Sequence, residues 1–332
     1  PQPDMALRLP SLEVRQRLRA WLQREDFDVV HVEGIELGPY LEETCKTLRV
    51  FKTLRGRCPR IVFGDQNAEY LLQRSAFLTD VRQPRRWVGA AYSFVQWHKL
   101  RRYEARLCRR ADRVVAVSQA DAQALQRLVP GLQPAVVPNG VDFSFYASYQ
   151  PSPADPLPGP ASLVFTGKMD FRPNVDAVLW FHEEVWPRVR AAVPEARFYV
   201  VGRDPHPRLR PLTGDPAVVV TGYVEDVRPY IAGAAVVVVP IRMGGGTRLK
   251  VLEAMAMGRA VVSTSFGCEG YGLQHGRELL IADDPAGFAQ AVVELLSDPD
   301  RRTRLGETAQ AFVRTRYDWS AIVPRLEAAY AD

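Results

Sequence analysis

The sequence predicts an α/β protein built from two doubly wound parallel-sheet domains, and three observations carry that expectation. Short apolar runs alternate with helical stretches along most of the chain. Those runs are rich in β-branched residues and do not alternate with polar ones, as expected of strands covered on both faces. A proline-rich stretch at 150–160, QPSPADPLPGP, interrupts the pattern near the middle and has the composition of a linker.

Beyond that break, strands are expected at 162–167, 197–202, 218–222, 236–241, 260–264 and 279–282. Helices are expected between them at 175–193, 226–232 and 248–257, and after the last strand at 286–296. The order β-α-β-α places ligands outside the carboxyl ends of the strands. Before the break, strands read at 29–32, 61–63, 114–117 and 135–137, with a helix at 12–22. The expected division is therefore a first domain at 1–150, a linker at 151–160 and a second domain at 161–316. A final helix at 317–332 is expected to pack back on the first domain.

Composition fits a folded enzyme: 332 residues, 47% hydrophobic, with charge of both signs spread along the chain. No apolar run approaches the length of a membrane span, and the N-terminus does not read as a signal peptide. Cys45, Cys58, Cys108 and Cys268 lack metal-binding spacing, as do the five histidines. A cytoplasmic protein with no metal and no resident cofactor is the expectation.

The most informative segment is 244–258, GGGTRLKVLEAMAMG, set between the apolar runs VVVVPI and AVVST. Glycines let the backbone approach a ligand closely, and the following helix N-terminus offers unpaired N–H groups and a positive dipole end. Arg248 and Lys250 add positive charge there. Glu253, an acid among apolar neighbours, needs a polar partner. A plain turn with a packing glycine remains the alternative at this point, because the spacing matches neither the phosphate loop nor the dinucleotide fingerprint.

This segment, continued as RAVVSTSFGCEG, resembles the donor-site segment of group 1 (family 4) glycosyltransferases. Three further segments are similar and fall in the same order: IVFGDQNAEYLLQR at 61–74, VPNGVD at 137–142 and VFTGKMDFRPN at 164–174. The resemblance covers nearly the whole chain from about Asp28 onward. It implies the GT-B fold, two Rossmann-like domains facing a cleft, and retaining transfer from a nucleoside-diphosphate sugar. In that family about three strand units precede the first recognised strand. Only residues 1–28 are available here, so an N-terminal truncation is expected.

The resemblance assigns roles residue by residue. Glu253 stands where the family's glutamate binds the donor ribose, and its ionised carboxylate suits a vicinal diol. The companion glutamate eight residues earlier is replaced by Gly245. Backbone N–H groups of Gly245, Gly246 and Thr247 are then expected to hold sugar or phosphate. Arg248 is the favoured diphosphate ligand, through its planar fork. Lys250 either joins it or stays solvated. Lys168 takes the place of the family's leaving-group cation, and Pro173 the place of its companion lysine, with Arg172 adjacent. Tyr223, Val224 and Glu225 are expected beside the nucleobase. In the first domain Gln66 stands where similar transferases place a histidine near the sugar. Asn67 and Glu69 follow it, as acceptor contacts or as helix caps, and Asn139 is grouped with them on the acceptor side.

Residues 82–113 carry ten Arg or Lys against Glu104 and Asp112, interleaved with Trp87, Tyr92, Phe94, Trp97 and Tyr103. A basic helix with interfacial aromatics suits an anionic membrane surface and a lipid-linked acceptor. A helix burying its aromatics in the core is the other reading. Expected partners are thus a nucleotide-sugar donor, a glycan or lipid-linked acceptor and peripheral contact with the inner membrane face, with no nucleic acid. A nucleotide-sugar-binding protein with little catalysis and a non-hydrolysing sugar-nucleotide epimerase are the alternatives.

Overall fold

A computed structural model of the chain describes residues 2–55, 58–81, 87–153, 155 and 158–331, without the side chains of 49–55. Residues 82–86 of the basic stretch and 154 and 156–157 of the proline-rich stretch lie outside the described residues. The chain forms two compact units, Pro1–Pro138 with Val323–Asp332, and Asn139–Ile322.

The first unit runs α1 (Leu12–Arg24), β1 (Val29–Glu33), α2 (Gly38–Arg55), β2 (Arg60–Asp65), α3 (Glu69–Asp80), α4 (Trp87–Arg110), β3 (Arg113–Ala116), α5 (Gln119–Leu128) and β4 (Ala135–Val136). All four strands pair in parallel in the order β1-β2-β3-β4. Ile35, Leu41, Phe63, Tyr103, Leu107 and Leu125 fill the core. Helix starts follow side-chain chemistry: Ser11 accepts the Val14 N–H and Ser118 the Asp121 N–H, each satisfying an otherwise unpaired donor.

The second unit runs α6 (Phe143–Ala147), β5 (Ser162–Thr166), α7 (Arg172–Trp180), α8 (Trp186–Ala192), β6 (Arg197–Val201), β7 (Val218–Gly222), α9 (Arg228–Gly233), β8 (Val236–Val239), α10 (Leu249–Ala256), β9 (Ala260–Ser263), β10 (Leu280–Ile281), α11 (Pro285–Ser297), α12 (Pro299–Arg316) and α13 (Trp319–Ala331). The six-stranded sheet has the order β10-β9-β8-β5-β6-β7 and is parallel throughout. The chain winds outward from β5 through β6 to β7, then returns to β8 on the other side. The order therefore reverses between β5 and β8, the topological switch point of a doubly wound sheet. α13 begins in this unit, but its residues from Val323 cluster with the first. Tyr330 hydrogen-bonds His31 Nδ1 through its hydroxyl at 2.7 Å and accepts from Arg60 Nη1 through its carbonyl at 2.8 Å.

Two expectations need correction. The division between units falls at Pro138/Asn139, not in the proline-rich stretch. Packing decides this: Val141 is buried in the second core, and Phe143 and Tyr146 pack against it. Arg228 stacks on the Phe145 ring at 3.8 Å and donates to its carbonyl at 3.1 Å. The stretch expected to be helical at 175–193 is helical without a break but not regularly α throughout, since a π-helical turn, Phe181–Val185, stands between α7 and α8. Pro187, in the first turn of α8, has no N–H to continue the regular ladder. Among the described residues, no helix is long and apolar enough to cross a membrane.

Candidate functional site

A cavity of about 490 Å³ opens in the second unit at the carboxyl ends of β5, β6, β7 and β8, the place that the switch point favours. Its floor depends on two strand-final glycines. Beyond the strands, the Gly167 N–H donates to Val201 O at 3.0 Å and the Met169 N–H to Arg203 O at 2.9 Å. A Cβ on Gly202 would sit 1.7 Å from the Gly167 carbonyl oxygen, so only glycine permits this approach.

The glycine turn after β8 supplies another wall, with φ of 106° at Gly244 and 77° at Gly246. Arg248 is the N-cap residue of α10, and no side chain caps that helix start. Its guanidinium folds back on the Gly246 carbonyl and lies over the Phe266 ring at 4.6 Å. Asn139 Nδ2 donates to Thr247 Oγ1 at 2.8 Å, which ties Asn139 to this glycine turn.

Lys250 is not a solvated surface lysine. It borders the cavity, and its Nζ donates to Asn174 Oδ1 at 2.9 Å and sits over the Phe165 ring at 4.0 Å. A Cβ on Gly167 would come within 2.8 Å of that ammonium, so glycine makes its room. Loss of hydration lowers the Lys250 pKa to about 7, against the opposing pull of Glu253. Burial raises the Glu253 carboxyl, while a hydrogen bond from Tyr146 and the charge of Lys250 act the other way. Tyr146 is itself pushed up by burial and by that carboxylate.

Of the residues singled out in the second unit, Lys168, Tyr223, Val224, Gly245, Thr247, Arg248, Lys250 and Glu253 line this one cavity. Lys168 is exposed and paired to Asp170 at 3.0 Å. Tyr223 is 74% exposed, so it stands on the rim and not in the core. Glu225 and Gly246 do not line the cavity; Glu225 is exposed to solvent beyond the rim. Arg172 is exposed and likewise does not line it. The sequence reading missed Asn174, Gly167, Gly202, Arg203 and Tyr146. Three strands running into glycine, at 167, 202 and 222, were the available signal for two of these.

In the first unit, Gln66 is exposed after β2 and hydrogen-bonds Glu33. Asn67 does not cap α3: Ala68 holds the N-cap position, and Asn67 Nδ2 donates to Glu69 Oε1 at 3.3 Å. The buried carboxylate of Glu104, from α4, takes the cap's place, accepting the N–H of Glu69 at 2.9 Å and of Tyr70 at 3.2 Å. Asp121 accepts the Ala68 N–H at 3.1 Å. Burial lifts Glu69 and Glu104 to about 7 each. Burial and the neighbouring Glu104 push the wholly buried Asp65 well above the usual carboxylate range.

Comparison with known proteins supplies the remaining findings. Residues 1–145 match the family model described as Glycosyltransferase Family 4, and residues 160–298 match that described as Glycosyl transferases group 1. A phosphatidyl-myo-inositol mannosyltransferase of Mycolicibacterium smegmatis is 30% identical over 223 residues, 65% of this chain and 56% of that protein. An uncharacterized 44.6 kDa protein of the cps region of Klebsiella pneumoniae is 26% identical over 165 residues, 47% of this chain and 42% of that protein. The match thus spans about half the length of these relatives. Among solved structures, Anabaena Alr3699/HepE in complex with UDP has the same fold. It superposes with a TM-score of 0.68 at 15% identity over 96% of this chain and 81% of that one.

Proposed function

Because the chain belongs to the group 1, family 4 glycosyltransferases of the GT-B fold class, we propose that it moves a hexosyl group from a nucleoside-diphosphate sugar to an acceptor hydroxyl with retained anomeric configuration. The observation that carries this reading is the switch-point cavity, which Lys168, Arg248, Lys250 and Glu253 all line beside a helix start that no side chain caps. Cations and helix N–H groups would stabilise the charge that develops on the diphosphate as it leaves, and preorganised electrostatics of this kind is usually the main source of rate acceleration. Arg248 offers the bidentate fork and Lys250 a second cation held in place by Asn174. Glu253, aligned by Tyr146, accepts hydrogen bonds from the ribose diol. Gly245 leaves open the space where a second carboxylate would stand, so backbone N–H groups serve the sugar side. Tyr223 on the rim meets the base.

No protein nucleophile is assigned. Attack by the acceptor hydroxyl on the face the diphosphate leaves is the expectation, and family membership is its support. With three cations at the cavity, turnover in chelator is expected. The acceptor is read as a glycan or a lipid-linked acceptor. The inositol lipid in the mycobacterial relative's name and the UDP bound by the Anabaena protein belong to the acceptor and donor classes proposed here.

The test is incubation of the chain with UDP-, GDP-, ADP- and dTDP-sugars, with soluble and lipid-linked acceptors and with chelator present. Products are read by mass and by the anomeric proton coupling. A new glycosidic bond with the donor's configuration supports the proposal, and an inverted anomer removes the retaining step. Nucleotide binding without transfer or donor hydrolysis would leave a binding protein.

A further inference from the structure

Thr247 stands between the glycine turn and the N-cap residue of α10, and it lines the cavity. Its side chain is engaged from two sides. Asn139 Nδ2 donates to Thr247 Oγ1 at 2.8 Å. The Tyr271 hydroxyl meets the same side chain from the protein interior. Tyr271 is only 1% exposed, and among the described residues its hydroxyl has no other hydrogen-bond partner. All three residues belong to the second unit.

Tyr317 fixes the frame that carries both neighbours. Its carbonyl accepts the Val141 N–H at 2.8 Å, two residues beyond Asn139, and its hydroxyl donates to the Tyr271 carbonyl at 2.8 Å. The Tyr271 and Tyr317 rings meet edge to face, with centroids 5.3 Å apart. Both side chains that reach Thr247 therefore hang from backbone pinned to one buried tyrosine.

A hydroxyl offers a single proton and a pair of acceptor sites. The Asn139 N–H occupies one of these sites on Thr247. A buried O–H such as that of Tyr271 needs an acceptor, and Thr247 Oγ1 is the one it meets. With both acceptor sites so engaged, the Thr247 proton has neither neighbour to go to and is turned toward the cavity. We propose that Asn139 and Tyr271 position the Thr247 hydroxyl to donate a hydrogen bond to the diphosphate of the donor, a role that rests on the nucleotide-sugar reading of this cavity. Its place favours phosphate over sugar. The next residue is the N-cap of α10, where unpaired N–H groups and the helix dipole draw an anion. A hydroxyl donating to a charged phosphate oxygen also makes a stronger bond than one donating to a neutral sugar oxygen.

The test is calorimetric titration of the whole chain with UDP, GDP, ADP and dTDP, and with UDP-glucose and GDP-mannose. Valine has the shape of threonine without its hydroxyl. For the diphosphate that the wild type binds, Thr247→Val should weaken binding by about ten- to a hundredfold, the loss of a hydrogen bond to a charged group. Thr247→Ser, which keeps the hydroxyl, should recover most of that loss. Tyr271→Phe should weaken binding in the wild-type background and have no effect in the Thr247→Val background, because it acts through the missing hydroxyl. Asn139→Ala should follow the same pattern. Wild-type affinity in Thr247→Val, or no recovery in Thr247→Ser, overturns the hydroxyl contact. A loss confined to the nucleotide sugars overturns its assignment to phosphate. Equal losses from Tyr271→Phe in both backgrounds make Tyr271 a packing residue and overturn its positioning role. A wild type that binds none of the diphosphates fails the donor reading itself, whereas wild-type binding with an unaffected Thr247→Val fails the Thr247 role alone.

Discussion

Lys250 shows how far a residue's role depends on neighbours distant in sequence. Read along the chain it is one of two cations near a helix start. Asn174, 76 residues earlier, and the space left by Gly167 turn it into an enclosed ammonium. Neither partner is visible from the LKVLE pattern, so the sequence left open whether Lys250 is solvated. Its lowered pKa, about 7, has a consequence for ligand binding. A diphosphate favours the protonated lysine, so affinity should be highest below that value and fall as pH rises through it. Calorimetric titrations across this range should show the fall in the wild type. Lys250→Met should bind weakly with a flatter profile, and so corrects for ionisation of the nucleotide itself. Gly202 makes a second test at this scale. With a Cβ 1.7 Å from the Gly167 oxygen, Gly202→Ala must separate the ends of β5 and β6. A loss of roughly 2–4 kcal/mol in denaturant unfolding is expected, together with loss of nucleotide binding.

At the level of elements, strands were the most legible feature, because valine-rich runs without alternation admit little else than a covered parallel strand. The glycine turn and the start of α10 also read correctly to within a residue. Capping was less legible. For the helix after β2 the sequence offered Asn67 as a cap or as an acceptor contact, yet a carboxylate from α4 takes the cap's place, 35 residues on from Glu69 in the sequence. The result is a buried group of acids with a pH signature. Glu69 has a folded pKa of about 7, raised from 4.5, so the native state holds its proton longer than the unfolded chain does. Stability from this group is therefore full below the unfolded value and declines as pH rises toward about 7. Urea unfolding across that range should show the decline. Glu69→Gln should flatten it and exceed the wild type in stability above neutral pH. Long-range capping of this kind leaves no local pattern, since the carboxylate and the N–H groups it satisfies meet only in the fold.

For the molecule as a whole, two α/β units were readable from the order of elements, but their division was not. Proline-rich composition marks a segment that forms little regular structure. What assigns 139–153 to the second unit is the burial of Val141 and the grip of Arg228 on Phe145. The resemblance and the cavity then meet in one unit: four sequence segments pointed to a nucleotide-sugar enzyme, and two of them line the switch point of the six-stranded sheet. A donor site of that kind has a direct thermodynamic consequence. Thermal unfolding of the whole chain should be followed with UDP, GDP, ADP and dTDP, for the wild type, Glu253→Ala and Arg248→Ala. One diphosphate at about a hundred times its dissociation constant should stabilise the wild type by roughly 2.7 kcal/mol and neither variant comparably. No response to any nucleotide, or equal responses in all three proteins, would contradict a nucleotide site in this cavity.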